Sequence, residues 1–268
     1  MTADAPSNRP RAPLVAAALI GLSVGVLGGL IGLGGAEFRL PLLISALGFP
    51  ALEAVIVNKA TSLIVVASGL YWRTQAVPLS DVLAQWPVMV TLLSGSLVGA
   101  WAGASWATRL GAGLYRVIAA ALVVIALVLL VAHDPKHATG IIDPWLKTTV
   151  GILAGVVIGA VSSLLGVAGG ELLIPTLVLL FGLDLKLAGS VSLAVSLPTM
   201  LVGFARYSQD QAFVVLRRHR SEVVAMAVGS MLGVAIGGRL VNVVPTAVLL
   251  PMLAGILLLS AIKVWRHR

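Results

Sequence analysis

Two ten-residue segments combine glycines, a carboxylate and a proline in an otherwise apolar chain. They are Gly32-Leu33-Gly34-Gly35-Ala36-Glu37-Phe38-Arg39-Leu40-Pro41 and Gly166-Val167-Ala168-Gly169-Gly170-Glu171-Leu172-Leu173-Ile174-Pro175. Adjacent glycines permit unusual dihedrals and close backbone approach. A glycine turn that opens a helix also leaves N–H groups without intrahelical partners, and together with the helix dipole these favour an anion. The candidate donors are the amides around Gly34, Gly35 and Ala36 in the first segment and Gly169 and Gly170 in the second. The plainer alternative is a tight turn that serves only helix packing.

Side chains near these turns extend the same chemistry. Glu37 and Glu171 follow the glycines, where a carboxylate can cap orphan amides or, in a membrane, couple transport to a proton. Arg39 has Leu173 as its counterpart. It can pair with Glu37, hold an oxyanion in its fork, or snorkel to an interface. Asn58-Lys59-Ala60-Thr61-Ser62 follows within one helix length of Pro50. At about 1.5 Å per residue these side chains sit roughly 12–18 Å deep, near a bilayer midplane. A buried ammonium needs an anionic partner, so Lys59 should meet a substrate anion or one of Glu37 and Glu53, unless it snorkels to an interface. The matching segment supplies hydroxyls, Ser192 and Ser196, and no charge. Arg73 and Arg206 read as caps of helix ends at the interface. His133 and His137 read as a solvated loop rather than a metal pair, and no metal or cofactor is expected.

The elements that position these groups must lie in a membrane. The chain is 59% hydrophobic and only 10% charged, against about 25% charged for a soluble domain. Its net charge of +8 forms no face or stripe, which argues against nucleic acid, and lies mainly between apolar runs, as loop charges do. Without cysteine there is no thiol or disulfide chemistry. There is no phosphate loop, His-Glu-x-x-His or Gly-x-Ser-x-Gly motif, so neither enzymatic activity nor an internal ATPase is expected.

Apolar runs predict helices near 13–33, 38–47, 51–72, 82–107, 113–132, 145–166, 172–181, 187–205, 221–240 and 246–264. Eight are long enough to cross, at about 20 residues per span. The order long, short, long, long, long occurs twice. At the offset of 134 residues, Gly21 and Gly25 match Gly155 and Gly159, Gly48 matches Gly182, and Gly69 matches Gly203. Gly95, Ser96, Gly99 and Gly103 match Gly229, Ser230, Gly233 and Gly237. These ladders read as small-residue seams between packed helices. The fold expected is an all-α polytopic membrane protein with two repeats, 13–133 and 145–265. A loop at 134–144 joins them, and tails at 1–12 and 266–268 flank them. The basic segments place both termini in the cytoplasm, with the chain in the inner or plasma membrane. Loop charges do not separate parallel from inverted repeats. The inverted form is preferred because inverted repeats with broken helices suit alternating access.

The two glycine segments with their prolines, the Gly48 and Gly182 turns, and the hydroxyl-rich helices Asn58–Ser62 and Ser190–Ser196 make the chain resemble the TauE/SafE family of membrane transporters, also called sulfite exporters or toluene-sulfonate uptake permeases. The resemblance covers nearly the whole length. Ala36 and Ala168 stand where that family often has glycine, which puts close backbone approach there in question. The resemblance implies transport of sulfite, an organosulfonate or a related small anion, often outward. The expected partners are that anion and the lipid bilayer. The oligomeric state is open, a homodimer being one form. The expected site comprises the turn amides with Arg39, Asn58, Lys59, Thr61, Ser62, Ser192 and Ser196; Glu37 and Glu171 are the coupling candidates. A passive anion channel and proton-coupled uptake are the rival readings.

Overall fold

Glycine and proline divide the chain into helices whose remaining residues are mostly apolar. A computed structural model describes residues 11–106, 143–165, 167–207 and 212–266. The helices there are α1 (Arg11–Ile31), α2 (Ala36–Ser45), α3 (Ala51–Arg73), α4 (Leu79–Ala84), α5 (Trp86–Trp106), α6 (Pro144–Leu165), α7 (Gly170–Leu179), α8 (Leu185–Tyr207), α9 (Ala212–Arg218), α10 (Arg220–Leu240) and α11 (Thr246–Arg266). No strand occurs among the described residues. Six helices, α1, α3, α5, α6, α8 and α10, are long and apolar enough to cross a membrane. Their outer faces carry bare apolar side chains such as Val98, Leu153, Val157 and Leu232, as lipid contact requires. The helix expected near 113–132, much of the 134–144 loop, and His133 and His137 lie outside the described residues. In α11 the qualifying apolar stretch is the shorter Thr246–Leu259.

Two local differences from the sequence reading have clear causes. The run expected as one helix at 82–107 is split at Gln85 into α4 and α5. Pro87 has no N–H to donate back into α4, and its ring hinders an unbroken helix there. The basic stretch after Tyr207 holds a further short helix, α9, whose last turn carries Arg217 and Arg218.

Close helix contacts follow the glycine ladders. Along α1 and α10, Gly21, Gly25 and Gly29 face Met226, Ser230 and Val234 in turn, while Gly229, Gly233 and Gly237 face Ala18, Leu22 and Val26. Along α5 and α6, Gly155 and Gly159 face Leu92 and Ser96, while Gly95, Gly99 and Gly103 face Ile152, Val156 and Ala160. Apart from Gly29–Val234, each pair in one seam is the other seam's pair displaced by the repeat offset. A Cβ at Gly29 would lie 2.6 Å from the Val234 carbonyl oxygen, so any side chain there would force the helices apart. Residue numbers rise together along both seams, so each pair is parallel.

The inner helices cross at the centre. Arg73 bonds Ser190, Gly69 faces Leu193, and Lys59 faces Gly203, so α3 and α8 are antiparallel. Glu53 meets His219 at one end of α3 and Trp72 meets Gly238 at the other, so α3 and α10 are parallel. Arg73 bonds the end of α1, and Ala17 near its start packs with Ala54, so α1 and α3 are parallel. In the other repeat, Gly151 meets Phe181 just before α8, and Ser163 meets Gly203 near its end. Thus α1, α3 and α10 point one way, and α5, α6 and α8 the other. Each short helix lies beside the helix that follows it. The end of α2 turns into the start of α3 at Gly48, with Phe49 N–H bonded to Leu43 O, while Asn58 bonds Ala36 at the start of α2, so α2 folds back antiparallel to α3.

Candidate anion site at the crossing of the broken helices

The break after α1 is made by glycine backbone. Gly32 (φ 94°) and Gly35 (φ 65°) occupy the left-handed region, as does Gly169 (φ 80°) in the second turn, a conformation that costs glycine little. Gly35 and Gly169 are the N-caps of α2 and α7, and neither helix has a side-chain cap bond. In α2 the first backbone bond to the cap is from Arg39 N–H to Gly35 O at 3.3 Å. The N–H groups of Ala36, Glu37 and Phe38 precede it, at positions whose donors have no intrahelical partner.

The two turns meet each other. Gly34 packs against the methyl of Ala168, and a Cβ at Gly170 would lie 3.0 Å from Leu33 Cδ2. The Ser192 hydroxyl donates to the Gly32 carbonyl at 2.9 Å. Residues 34 and 168 correspond at the 134-residue offset of the sequence. The alanine at 168 does not prevent close approach, because it faces a glycine.

Asn58 and Ser62, four residues apart on one face of α3, both reach α2. Asn58 Nδ2 donates to Ala36 O at 3.1 Å, and its Oδ1 is buried with no hydrogen-bond partner among the described residues. Arg39 is 0% exposed and donates to Ser62 Oγ at 2.9 Å. It therefore sits inside the protein and does not snorkel. Thr61 donates to Val57 O at 2.8 Å, so its hydroxyl proton is committed to its own helix. The Ser192 proton is likewise committed to backbone carbonyls at Gly32 and Gly189. Ser196 is buried without a hydrogen-bond partner among the described residues. Glu171 is buried in the first turn of α7; the side chain of Glu37 lies outside the described residues.

Lys59 leaves this group. It is one residue past Asn58, hence about 100° around the helix, and faces α8 instead of α2. Its Nζ and the Ser163 Oγ each lie 3.0 Å from where a Cβ of Gly203 would be. Lys59, Ser162, Ser163 and Thr199 line a cavity of about 10 Å³, room for about one water. Glu53, an alternative partner for Lys59, is engaged elsewhere, with His219 at 2.7 Å and Arg218 at 3.7 Å. The sequence reading missed Ser162, Ser163 and Thr199. A signal was present: Ser162-Ser163 stands where the first repeat has Gly28-Gly29.

Arg73 is also more than an interfacial cap. It is 1% exposed and donates to Gly29 O, Leu30 O and Lys186 O at 2.7–2.8 Å, and to Ser190 Oγ at 3.1 Å. It stabilises the negative end of the α1 dipole and ties α1 to the first turns of α8, in the other repeat. The Arg206 side chain lies outside the described residues.

The family model described as sulfite exporter TauE/SafE matches residues 7–264. The chain belongs to the TauE/SafE family. This is a family of membrane transporters and not of enzymes, so the TauE/SafE chain is a multi-pass membrane protein whose family implies anion transport. No curated protein and no solved structure matches it.

Proposed function

We propose that this TauE/SafE chain is a secondary transporter that exports a small oxyanion, sulfite or an organosulfonate, across the plasma membrane by alternating access. The observation that carries the reading is the meeting of two glycine-opened half-helices at Gly34 and Ala168. Each presents a positive helix end whose N-cap is a glycine, in a protein whose long helices are otherwise apolar. Arg39, Asn58 and Ser62 surround the first of these ends, and Lys59 supplies a further buried positive group. The opposite directions of the helices in the two repeats support an inverted topology, in which movement of the broken-helix units against the glycine-seamed scaffold exposes the centre to either side. With both termini cytoplasmic, the negative interior favours anion export by about 2.3 kcal/mol per 100 mV for one charge. Export then needs no coupling ion, whereas uptake would draw on a proton at Glu37 or Glu171.

The test is flux in proteoliposomes holding purified protein, with sulfite, methanesulfonate, larger sulfonates and simple oxyanions. Saturable flux of sulfite or a sulfonate is expected. Flux that rises linearly with concentration identifies a channel, and no movement of any of these anions overturns the proposal.

A further inference from the structure

The seam between α5 and α6 differs from that between α1 and α10 at one level. Gly29, which seals the α1–α10 seam against Val234, is replaced in the second repeat by Ser163, and Gly28 by Ser162. Here the cavity opens. Ser162 and Ser163 are 4% and 3% exposed, and neither hydroxyl has a hydrogen-bond partner among the described residues. Both line the cavity alongside the Lys59 side chain. Thr199 already donates to Val195 O at 2.9 Å and lies 2.8 Å from Ser96 Oγ. The hydroxyls available to an occupant are therefore those of the two serines. Among the described residues, none of the side chains lining the cavity is a carboxylate. Two hydroxyl donors and an ammonium suit a negatively charged oxygen, and the volume suits one such atom. Val167 is part of the wall, and the next residue, Ala168, is the one against Gly34. The cavity thus borders the second glycine turn.

We propose that Ser162, Ser163 and Lys59 form an off-axis subsite that binds one charged oxygen of the transported oxyanion. Ser162 and Ser163 are accordingly specificity-determining residues. The mirror positions, Gly28, Gly29 and Leu193, carry no donor side chain, so each chain binds one anion and not two. This rests on the transport reading above and deepens it.

The experiment measures sulfite binding by calorimetry in detergent, and sulfite flux in proteoliposomes, for the wild type, Ser162→Ala, Ser163→Ala and the double variant. Folding is checked by size-exclusion profile and melting temperature. Removing one hydroxyl bond to a charged group is expected to weaken sulfite binding about tenfold, with the maximal rate largely kept and a larger loss in the double variant. A stoichiometry near one anion per chain is expected in the wild type. If the wild type transports sulfite while all three variants bind it within twofold of wild type, the cavity is a structural water site: the subsite is wrong and the transport reading stands. If chloride binds as tightly as sulfite and both weaken equally in the variants, the site is a general small-anion site and the oxyanion assignment falls. If the wild type neither binds nor moves any anion, both proposals fall together. A second anion per chain would refute the one-sided arrangement.

Discussion

The Lys59 face of α3 and the Leu193 face of α8 are the same place in the two repeats, yet one is polar and hollow and the other apolar and filled. Lys59 lies against Gly203, as Leu193 lies against Gly69 with its Cδ1 3.2 Å from where a Cβ would be. Around Lys59 stand Ser162, Ser163 and Thr199. The same positions in the other repeat are Gly28, Gly29 and Val65. The backbone frame is shared, and apart from Gly29–Val234 the two seams repeat the same contacts. Duplication has therefore supplied the scaffold, while substitution on one side has supplied the charge. A symmetric pair of buried lysines would double the desolvation cost for a single substrate.

The asymmetry can be broken most severely at Arg73, which bridges the repeats from one side only, position 207 being tyrosine. Arg73→Ala should remove about 3–5 kcal/mol of stability, because three carbonyls lose a charged donor. Detergent melting curves should show a large fall, with Arg73→Lys recovering only part, since an ammonium lacks the planar fork. A melting temperature unchanged in Arg73→Ala would mean that the bridge does not hold the repeats together.

Making the two faces alike comes next. Lys59→Leu should lower anion transport at least about 100-fold, equivalent to roughly 2.7 kcal/mol. Leu193→Met, on the mirror face, should leave flux within about twofold, a volume-conserving change. Equal effects of the two on flux would dissolve the distinction.

The seams should behave oppositely, as true equivalents. Gly95→Val and Gly229→Val each drive a side chain into the opposing helix backbone, at Ile152 and Ala18. Each should cost about 1–3 kcal/mol through overpacking, and melting curves should agree between the two. Unequal losses would show that the shared scaffold is not shared in energy.

The smallest effect is expected from one methyl group. Gly203→Ala crowds the Lys59 amine and the Ser163 hydroxyl, each 3.0 Å from the new carbon. It should raise the sulfite KM several-fold, up to about tenfold, one hydrogen bond to a charged group being worth about 1.5–3 kcal/mol. Gly69→Ala meets only Leu193 and Val234 side chains and should leave KM unchanged. Outside these paired tests, a cysteine introduced at Gly111 should label only from the cytoplasm; labelling from outside would contradict the inverted topology.

Much of the scaffold was readable beforehand because it depends on local signals. Gly35 and Gly169 open short helices, and Gly95, Gly99 and Gly103 form a seam, since spacing along a helix already places them on one stripe. The split at Gln85 was hidden by an unbroken apolar run, although Pro87 marked it. The site was less legible. Treating 58–62 as one cluster ignored the helical turn that sends Asn58 and Ser62 towards α2 and Lys59 towards α8. Arg39 looked able to reach an interface, and its burial followed only from α2 folding back along α3.

Composition and the 134-residue repeat were enough to determine a duplicated helical membrane protein with a glycine break in each half. Those properties are carried by residue type and by spacing within single helices. Tertiary structure decided that the two breaks touch at Gly34 and Ala168, that Arg73 bridges the repeats, and that Lys59 shares a cavity with Ser162 and Ser163. Each of these contacts joins residues from different repeats, and helix periodicity sets only which way a side chain points, not which distant helix it meets.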